Sequence, residues 1–192
     1  MKASYAPNLY LALIHYPVIN KNGETIASAI TNLDLHDIAR LAKTFGVRRF
    51  YVVTPLADQK QLVERIVSHW TTGYGATYNP ERRKALELIC VKESLSDVRA
   101  HIHKSDGREA RTVATSARTK PKNIGFETLR DLLRDEHPYL MLFGTAWGLS
   151  DDVVAAADYV LAPISGGTGY NHLSVRSAAA IILDRILGQE QM

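Results

Sequence analysis

The chain has 192 residues, which corresponds to about one domain at ~150 residues per domain. Apolar residues make up 46% of the chain and charged residues 22%, and these proportions exclude a disordered tail, a collagen-like fibre and a disulfide scaffold. The formal net charge is only +3, so the overall charge does not by itself establish a nucleic-acid partner.

Cysteine content and apolar run length limit the chemistry and the location of the protein. Cys90 is the only cysteine, which excludes an internal disulfide and a cysteine-rich metal site. It lies in an apolar run and is predicted to be a buried core thiol. No apolar stretch approaches the ~18 residues of a membrane-spanning helix, and no leader with a cleavage site is evident. We therefore expect a cytoplasmic protein without a membrane segment.

Apolar runs and helical patterns alternate along the whole chain. In chain order, the patterns predict a strand at 10–14, a helix at about 34–45, a strand at 49–54, helices at 59–70 and 81–86, a strand at 88–91, a weaker helix at 95–103, a strand at 112–116, a helix at 126–134, a strand at 139–143, a short helix at 153–157, a short strand at 159–161 and a final helix at 172–187.

This alternation predicts an α/β fold, with one parallel sheet and helices on both of its faces, in a single domain over residues 1–192. The Gly- and Tyr-rich stretch 71–80 is predicted to be a long mobile loop. In an open α/β sheet, ligands bind beyond the carboxyl ends of the strands. The loops after Ser116, Phe143 and Leu161 are therefore where a functional site is expected.

Two of these loops are rich in glycine. The first, 143–149, contains Gly144 and Gly148, which would let a ligand approach the backbone. It could equally be a tight turn with Gly144 at positive φ and Ser150 capping the next helix.

The second loop, 162–171, has three glycines in four positions but neither a P-loop nor a GxGxxG pattern. Asn171 or Ser174 could cap the final helix, and the small residues 177–180 on that helix would allow close packing, although an ordinary buried helix explains them as well.

The sequences LFGTAWGL and ADYVLAPISGGTGYNHLSVRSAAAIIL resemble the C-terminal half of the SPOUT methyltransferases. The resemblance implies a C-terminal deep trefoil knot and a pocket for S-adenosylmethionine formed by these loops and the start of the last helix. The cofactor-binding residues that it implies are Thr115, Ser116, Phe143, Gly144, Thr145, Gly148, Leu149, Ile164, Gly166, Gly167, Gly169, Asn171, Leu173, Ser174 and Val175.

A second segment, TNLDLHDIAR followed by TFGV, resembles the first motif of the RNA ribose-methylating branch. That motif has an Asn six residues before an Arg, and here Asp34 lies six residues before Arg40. The combination resembles a small bacterial group of SAM-dependent RNA methyltransferases. The implied roles are an RNA phosphate ligand or nucleophile-orienting group at Arg40, and a proton acceptor at Asp34, His36 or Asp37. The alternative is a solvated helix face with an ordinary Asp37–Arg40 ion pair.

Cations follow the strand predicted to end at Ser116, and Arg118, Lys120 and Lys122 are candidate RNA-phosphate ligands, although scattered solubilising charge is the simpler explanation. Tyr74, Tyr78 and Trp147 could stack on a base, and Trp147 could equally belong to the core. No metal site is predicted, since the pair His101 and His103 beside Asp106 is expected on an exposed helix.

These patterns together predict a homodimeric methyltransferase that transfers a methyl group from S-adenosylmethionine to tRNA or rRNA, with Arg40 reaching across the subunit interface. A non-catalytic RNA-binding or regulatory protein that retains the fold is the main alternative. A nucleotide-binding hydrolase is disfavoured, because the chain lacks a P-loop, a G-x-S-x-G elbow and a metal cluster. The sequence names neither the RNA nor the methylated atom.

Overall fold

The computed structural model describes residues 7–119 and 123–188, and its secondary structure alternates as the sequence predicts. In chain order the elements are β1 (Leu9–Ile14), β2 (Val18–Ile19), β3 (Thr25–Ile26), α1 (Asn32–Thr44), β4 (Arg49–Val53), α2 (Ala57–Thr71), α3 (Tyr74–Tyr78), α4 (Pro80–Leu86), β5 (Ile89–Lys92), α5 (Leu95–Asp106), β6 (Arg111–Ala114), β7 (Asn123–Ile124), α6 (Phe126–Leu132), β8 (Tyr139–Gly144), α7 (Asp151–Ala155), β9 (Tyr159–Leu161) and α8 (Val175–Leu187).

Seven strands form one sheet in the order β5-β4-β1-β8-β6-β9-β7, and every neighbouring pair is parallel. The central pair is β1 and β8, in which Leu9 lies opposite Tyr139 and Ile14 opposite Gly144. All six residues of β1 are buried. A strand that is covered on both faces needs apolar side chains on both, which is why β1 is a continuous apolar run rather than an alternating one. The predicted parallel α/β sheet is confirmed.

Helices cover both faces of the sheet, and each face has its own core. Leu11 and Leu13 point to the face covered by α1, α2, α4, α6 and α8. Tyr10 and Ala12 point to the face covered by α5 and α7. Because side chains alternate along a strand, one apolar strand supplies both cores.

Local signals define the ends of the two helices nearest the carboxyl edge of the sheet. Thr31 caps α1 by accepting a hydrogen bond from the backbone N–H of Asp34, and Ser174 caps α8 by accepting one from the N–H of Ser177. Gly46 follows α1 with a φ of +70°, a conformation that glycine adopts readily. Of the two predicted caps of the last helix, Ser174 is therefore the one used.

The structure differs from the sequence prediction at several places. Strands β2, β3 and β7 were not predicted, because two residues carry too little pattern to define a strand. The segment 71–80, predicted to be a mobile loop, contains α3. Strand β6 ends at Ala114, two residues before the predicted end, and Cys90 is half-buried rather than fully buried.

Candidate functional site

A cleft of about 750 Å³ lies at the carboxyl edge of the sheet, between the ends of β6, β8 and β9 and the beginning of α8. Its position is where parallel-sheet proteins bind ligands. Twelve of the fifteen predicted cofactor-binding residues line it: Thr115, Ser116, Phe143, Gly144, Thr145, Gly148, Leu149, Ile164, Asn171, Leu173, Ser174 and Val175.

The predicted glycines Gly166, Gly167 and Gly169 are exposed and do not line the cleft. Gly167 has a φ of +72°, which explains the need for glycine at that position. A Cβ atom at any of the three would have no atom within 4 Å. These glycines therefore lie at the rim of the cleft, with open space beside each of them.

Loop 144–149 forms the floor of the cleft and closes tightly on itself. An ideal Cβ at Gly144 would lie 2.5 Å from the backbone nitrogen of Leu149 and 2.7 Å from the carbonyl carbon of Gly148. The prediction of positive φ at Gly144 is wrong, since the left-handed residues are Ala146, with φ 51°, and Gly148, with φ 113°. Glycine is needed at position 144 because of this close backbone approach. Ser150 caps α7, as predicted.

The β2–β3 hairpin, which the sequence analysis missed, holds this loop in place. The N–H of Ile19 donates to the carbonyl of Gly148 at 3.0 Å, and the N–H of Trp147 donates to the carbonyl of Ile19 at 3.1 Å. Val18 and Leu149 form a further antiparallel bridge. These backbone hydrogen bonds to the hairpin hold loop 144–149 in position without a bound ligand.

A chain of side-chain hydrogen bonds lies behind the floor, and it too was missed. Nδ1 of the buried His15 lies 3.0 Å from Ser28 Oγ, which lies 2.5 Å from Thr145 Oγ1. The Thr145 hydroxyl donates to the carbonyl of Ile14 at 2.9 Å. Each hydroxyl has one proton, so Ser28 donates to Thr145 and His15 donates to Ser28. Burial lowers the pKa of His15 to about 4, which keeps the ring neutral.

The N-terminal turn of α1 contacts α8 through a charged group that the sequence did not single out. Arg176 Nη1 donates to Asp37 Oδ2 at 3.0 Å, and Arg176 Nε lies 3.1 Å from Asp34 Oδ1. The Nε–H does not point at the carboxylate, so this second contact is an ion pair without a hydrogen bond. The alternative of an Asp37–Arg40 pair is therefore wrong, because Asp37 pairs with α8.

The four predicted catalytic residues are not gathered in one place. Asp34 lines the cleft and accepts a hydrogen bond from the Thr31 hydroxyl at 2.6 Å. Asp37, His36 and Arg40 do not line it. His36 packs edge-on against Trp70, with ring centroids 5.5 Å apart, on the side of α1 that faces α2 and α4. Arg40 is exposed and makes no ion pair with the described residues.

The predicted RNA ligands are only partly described. Arg118 is exposed and lines the cleft. Lys120 and Lys122 lie outside the described residues. Trp147 is 56% exposed at the cleft, 6.0 Å from the ring of His172, so it does not belong to the core. The cleft therefore has an exposed aromatic ring and a cation at its rim.

The described residues, 7–119 and 123–188, contain no group of three or more metal-ligating side chains. Within the same residues, no helix is long and apolar enough to span a membrane. His101 lies partly buried on α5, beside the Tyr51 hydroxyl at 2.8 Å, while His103 is exposed.

Comparison with solved structures identifies the fold. A SpoU methyltransferase, AviRb from Streptomyces viridochromogenes, solved in complex with the cofactor AdoMet, is 18% identical with a TM-score of 0.56. The comparison covers 95% of this chain and 61% of that one. At this identity the likeness shows the fold alone, the α/β sheet of the SpoU methyltransferases.

The sequence itself identifies the family. Residues 8–188 match the model of the family described as SAM-dependent RNA methyltransferase, and the chain belongs to that family. A tRNA (guanine-N(1)-)-methyltransferase of Oleidesulfovibrio alaskensis is 48% identical over 181 residues, which are 94% of this chain and 42% of that protein. The chain thus spans less than half the length of that relative. An uncharacterized protein of Aquifex aeolicus is 37% identical over 96% of this chain and 90% of its own length.

The cofactor of this family is S-adenosylmethionine, and the cleft suits it on physical grounds. Leu149, Leu161 and Leu173 give it apolar walls for an adenine ring. Gly144 leaves a close-packed backbone floor where any Cβ would collide. Leu149, Leu161, Leu173 and the backbone at Gly144 would hold the cofactor.

Proposed function

We propose that this chain transfers a methyl group from S-adenosylmethionine to RNA in the cleft at the carboxyl edge of its sheet. The observation that carries the proposal is the meeting of three loops and the N-terminal turn of α8 around one 750 Å³ cavity, in a chain of the SAM-dependent RNA methyltransferase family. The predicted cofactor-binding residues, including the rim glycines Gly166, Gly167 and Gly169, are part of this proposal.

Bound S-adenosylmethionine supplies an electrophilic methyl group on its sulfonium. The remaining task of the protein is to hold an RNA oxygen or nitrogen in line with that group and to remove its proton. Of the predicted acceptors, Asp34 is the one that lines the cleft, and its carboxylate is held by Thr31 and Arg176. We assign proton acceptance to Asp34. We assign a positioning role to Asp37, because it shares its partner Arg176 with Asp34.

Arg40 and Arg118 are assigned to the RNA. Both are exposed guanidinium groups, and guanidinium groups bind phosphates through paired hydrogen bonds. Arg40 lies outside the cleft of its own chain, so its action on the reacting nucleotide requires a second subunit. We therefore propose a homodimer in which the Arg40 of one subunit reaches the cleft of the other. Lys120 and Lys122 belong to the same proposed phosphate-binding segment by their place in the sequence.

The deep trefoil knot is also a proposal, and the strand order supports it. Strand β9 lies between β6 and β7, which are consecutive in the chain. Ala114 and Asn123 both pair with Val160, so the end of β6 and the start of β7 lie at the same level on either side of β9. Asn171 Nδ2, in the loop between β9 and α8, donates to the carbonyl of Ala117 at 2.9 Å.

Methyl transfer is tested with methyl-labelled S-adenosylmethionine and RNA from a strain that lacks this gene, followed by mass spectrometry of the nucleosides. The relative named as a tRNA methyltransferase is more than twice as long as this chain, so its name does not fix the RNA substrate here. The assay therefore tests tRNA and rRNA separately. Label in a single nucleoside is the expected result. Cofactor binding and RNA binding without label in either RNA would favour a non-catalytic RNA-binding protein. A cytoplasmic location is expected for either.

A further inference from the structure

Two tyrosines project from α3, away from the cleft. Tyr74 is 76% exposed and Tyr78 is 73% exposed, and their rings stack with centroids 6.1 Å apart and an interplanar angle of 24°. They lie one turn apart on the helix, which places them on the same side. Two large rings stacked on each other but left in water form an aromatic surface that the fold of this chain does not use.

The backbone of α3 packs closely against α2 beneath these rings. An ideal Cβ at Gly73 would lie 2.8 Å from the carbonyl oxygen of His69, and one at Gly75 would lie 2.7 Å from Cε3 of Trp70. Gly75 and Ala76 are buried. The small residues of the sequence GYGATY thus let α3 lie directly on Trp70, while the two tyrosines face outward.

Cations continue this surface towards α1. The guanidinium of Arg82 lies over the Trp70 ring, 4.5 Å from its centroid. Trp70 also makes an edge-on contact with His36, which lies one helical turn before the exposed Arg40. Burial and the positive charges of Arg82 and Arg40 lower the pKa of His36, against the opposing charge of Asp37.

The nearest carboxylates on α4 do not cancel this positive charge. Glu81 pairs with Lys84 at 2.6 Å, and Glu87 pairs with Arg83 at 2.8 Å. Arg82 makes no ion pair with the described residues. Helix α4, which carries Arg82, packs against both α3 and α1. The exposed pair Tyr74 and Tyr78, together with the partly exposed Trp70 and Arg82, is here called the aromatic platform.

We propose that the aromatic platform binds a single-stranded segment of RNA next to the nucleotide that is methylated. Exposed rings on which bases can stack, flanked by guanidinium groups that can meet phosphates, are the two parts of a single-strand binding surface. This inference rests on the proposed function, because it extends the path of the substrate from Arg40 to α3.

The experiment measures binding of a fluorescein-labelled single-stranded 12-nucleotide oligouridylate, and of a duplex of the same length, by fluorescence anisotropy. The double variant Tyr74→Leu/Tyr78→Leu keeps apolar surface but removes the rings, and Tyr74→Phe/Tyr78→Phe keeps the rings. Stacking is worth about 1–3 kcal/mol per base, so the leucine pair is expected to weaken single-strand binding about tenfold or more. The phenylalanine pair is expected to bind as the wild type does, and the duplex is expected to bind more weakly in all three.

Circular dichroism and titration with S-adenosylhomocysteine show whether each variant remains folded with an intact cleft. The proposal is overturned if the leucine pair binds the oligonucleotide as well as the wild type, or if the phenylalanine pair loses as much as the leucine pair. It is also overturned if the wild type binds S-adenosylhomocysteine but not the oligonucleotide. Ring-dependent oligonucleotide binding without S-adenosylhomocysteine binding would instead leave the platform standing and contradict the proposed function.

Discussion

At the scale of single residues, Gly144 is the glycine of the site with the least room for a Cβ atom. Two neighbouring glycines could have been interpreted as equivalent, yet they serve different needs. Gly144 has no room for a Cβ, and Gly148 has a positive φ. The sequence predicted that both residues lie at the carboxyl edge of the sheet but not their separate roles, because the close approach at Gly144 depends on how the loop folds back onto it at Gly148 and Leu149.

The substitution Gly144→Ala is expected to lower the free energy of unfolding by about 1–3 kcal/mol, since the added Cβ forces loop 144–149 apart. Urea unfolding monitored by circular dichroism measures the effect. The matched control is Gly166→Ala, where a Cβ meets open space and φ is not positive. Equal stability of Gly144→Ala and the control would contradict the tight packing of the floor.

His15 is a second residue whose role only the structure shows. Burial holds its pKa at about 4, against an ordinary value of 6.5. Between these values the unfolded chain takes up a proton that the folded chain does not, so the free energy of unfolding falls as the pH is lowered from 6.5 to 4. The difference amounts to about 3 kcal/mol at pH 4 and below, from a shift of roughly 2.5 pKa units.

The pH dependence is tested with His15→Asn, which keeps a polar group but cannot titrate. Its free energy of unfolding is expected to vary less steeply between pH 6.5 and 4 than that of the wild type, whatever its absolute value. Urea unfolding at several pH values gives both slopes. Parallel slopes would show that His15 is not the buried neutral ring described here.

At the scale of elements, the periodicity of the sequence identified every long strand and helix but not the pieces that shape the site. Strand β1 and helix α8 are long enough for their apolar patterns to be unambiguous. The β2–β3 hairpin has two-residue strands, and its meaning lies in its bonds to Gly148 and Trp147. Contacts between distant segments of this kind leave no periodic signal.

The contact between α1 and α8 depends on Arg176, which joins Asp34 and Asp37. The substitution Arg176→Met keeps an unbranched apolar stem and removes the charge. It is expected to destabilise the protein by about 1 kcal/mol, because the ion pairs are partly exposed. Chemical unfolding of this variant, of Asp37→Asn and of their combination forms a double-mutant cycle. Additive effects would mean that the two side chains do not interact.

At the scale of the whole molecule, the sequence predicted the sheet, the position of the cleft and twelve of the residues that line it, because strand ends and glycine-rich loops are readable from pattern and family resemblance. It could not predict that α1 presents its polar residues in different directions. Asp34 faces the cleft, whereas His36 faces Trp70 and Arg40 faces solvent. In the proposed dimer, Arg40 of one subunit would complete the site of the other.

The proposed dimer predicts complementation between two inactive variants. Arg40→Ala is expected to bind S-adenosylhomocysteine but not to transfer methyl groups, and Leu173→Arg is expected to block the cleft. If Arg40 acts across the interface, mixed dimers have one complete site. Half of randomly assorted dimers are mixed, so about a quarter of the wild-type transfer activity should return. If mixed dimers form but methyl-transfer activity does not return, Arg40 does not act across the interface and would serve the cleft of its own subunit.

Calorimetric titration of the folded protein with S-adenosylhomocysteine tests the proposed cofactor site directly. We expect saturable binding with one site per chain, abolished by Leu173→Arg and retained by Tyr74→Leu/Tyr78→Leu, since only the first residue lines the cleft. Absence of binding to the folded wild type, or binding that Leu173→Arg leaves unchanged, would contradict a cofactor site at the carboxyl edge of this sheet.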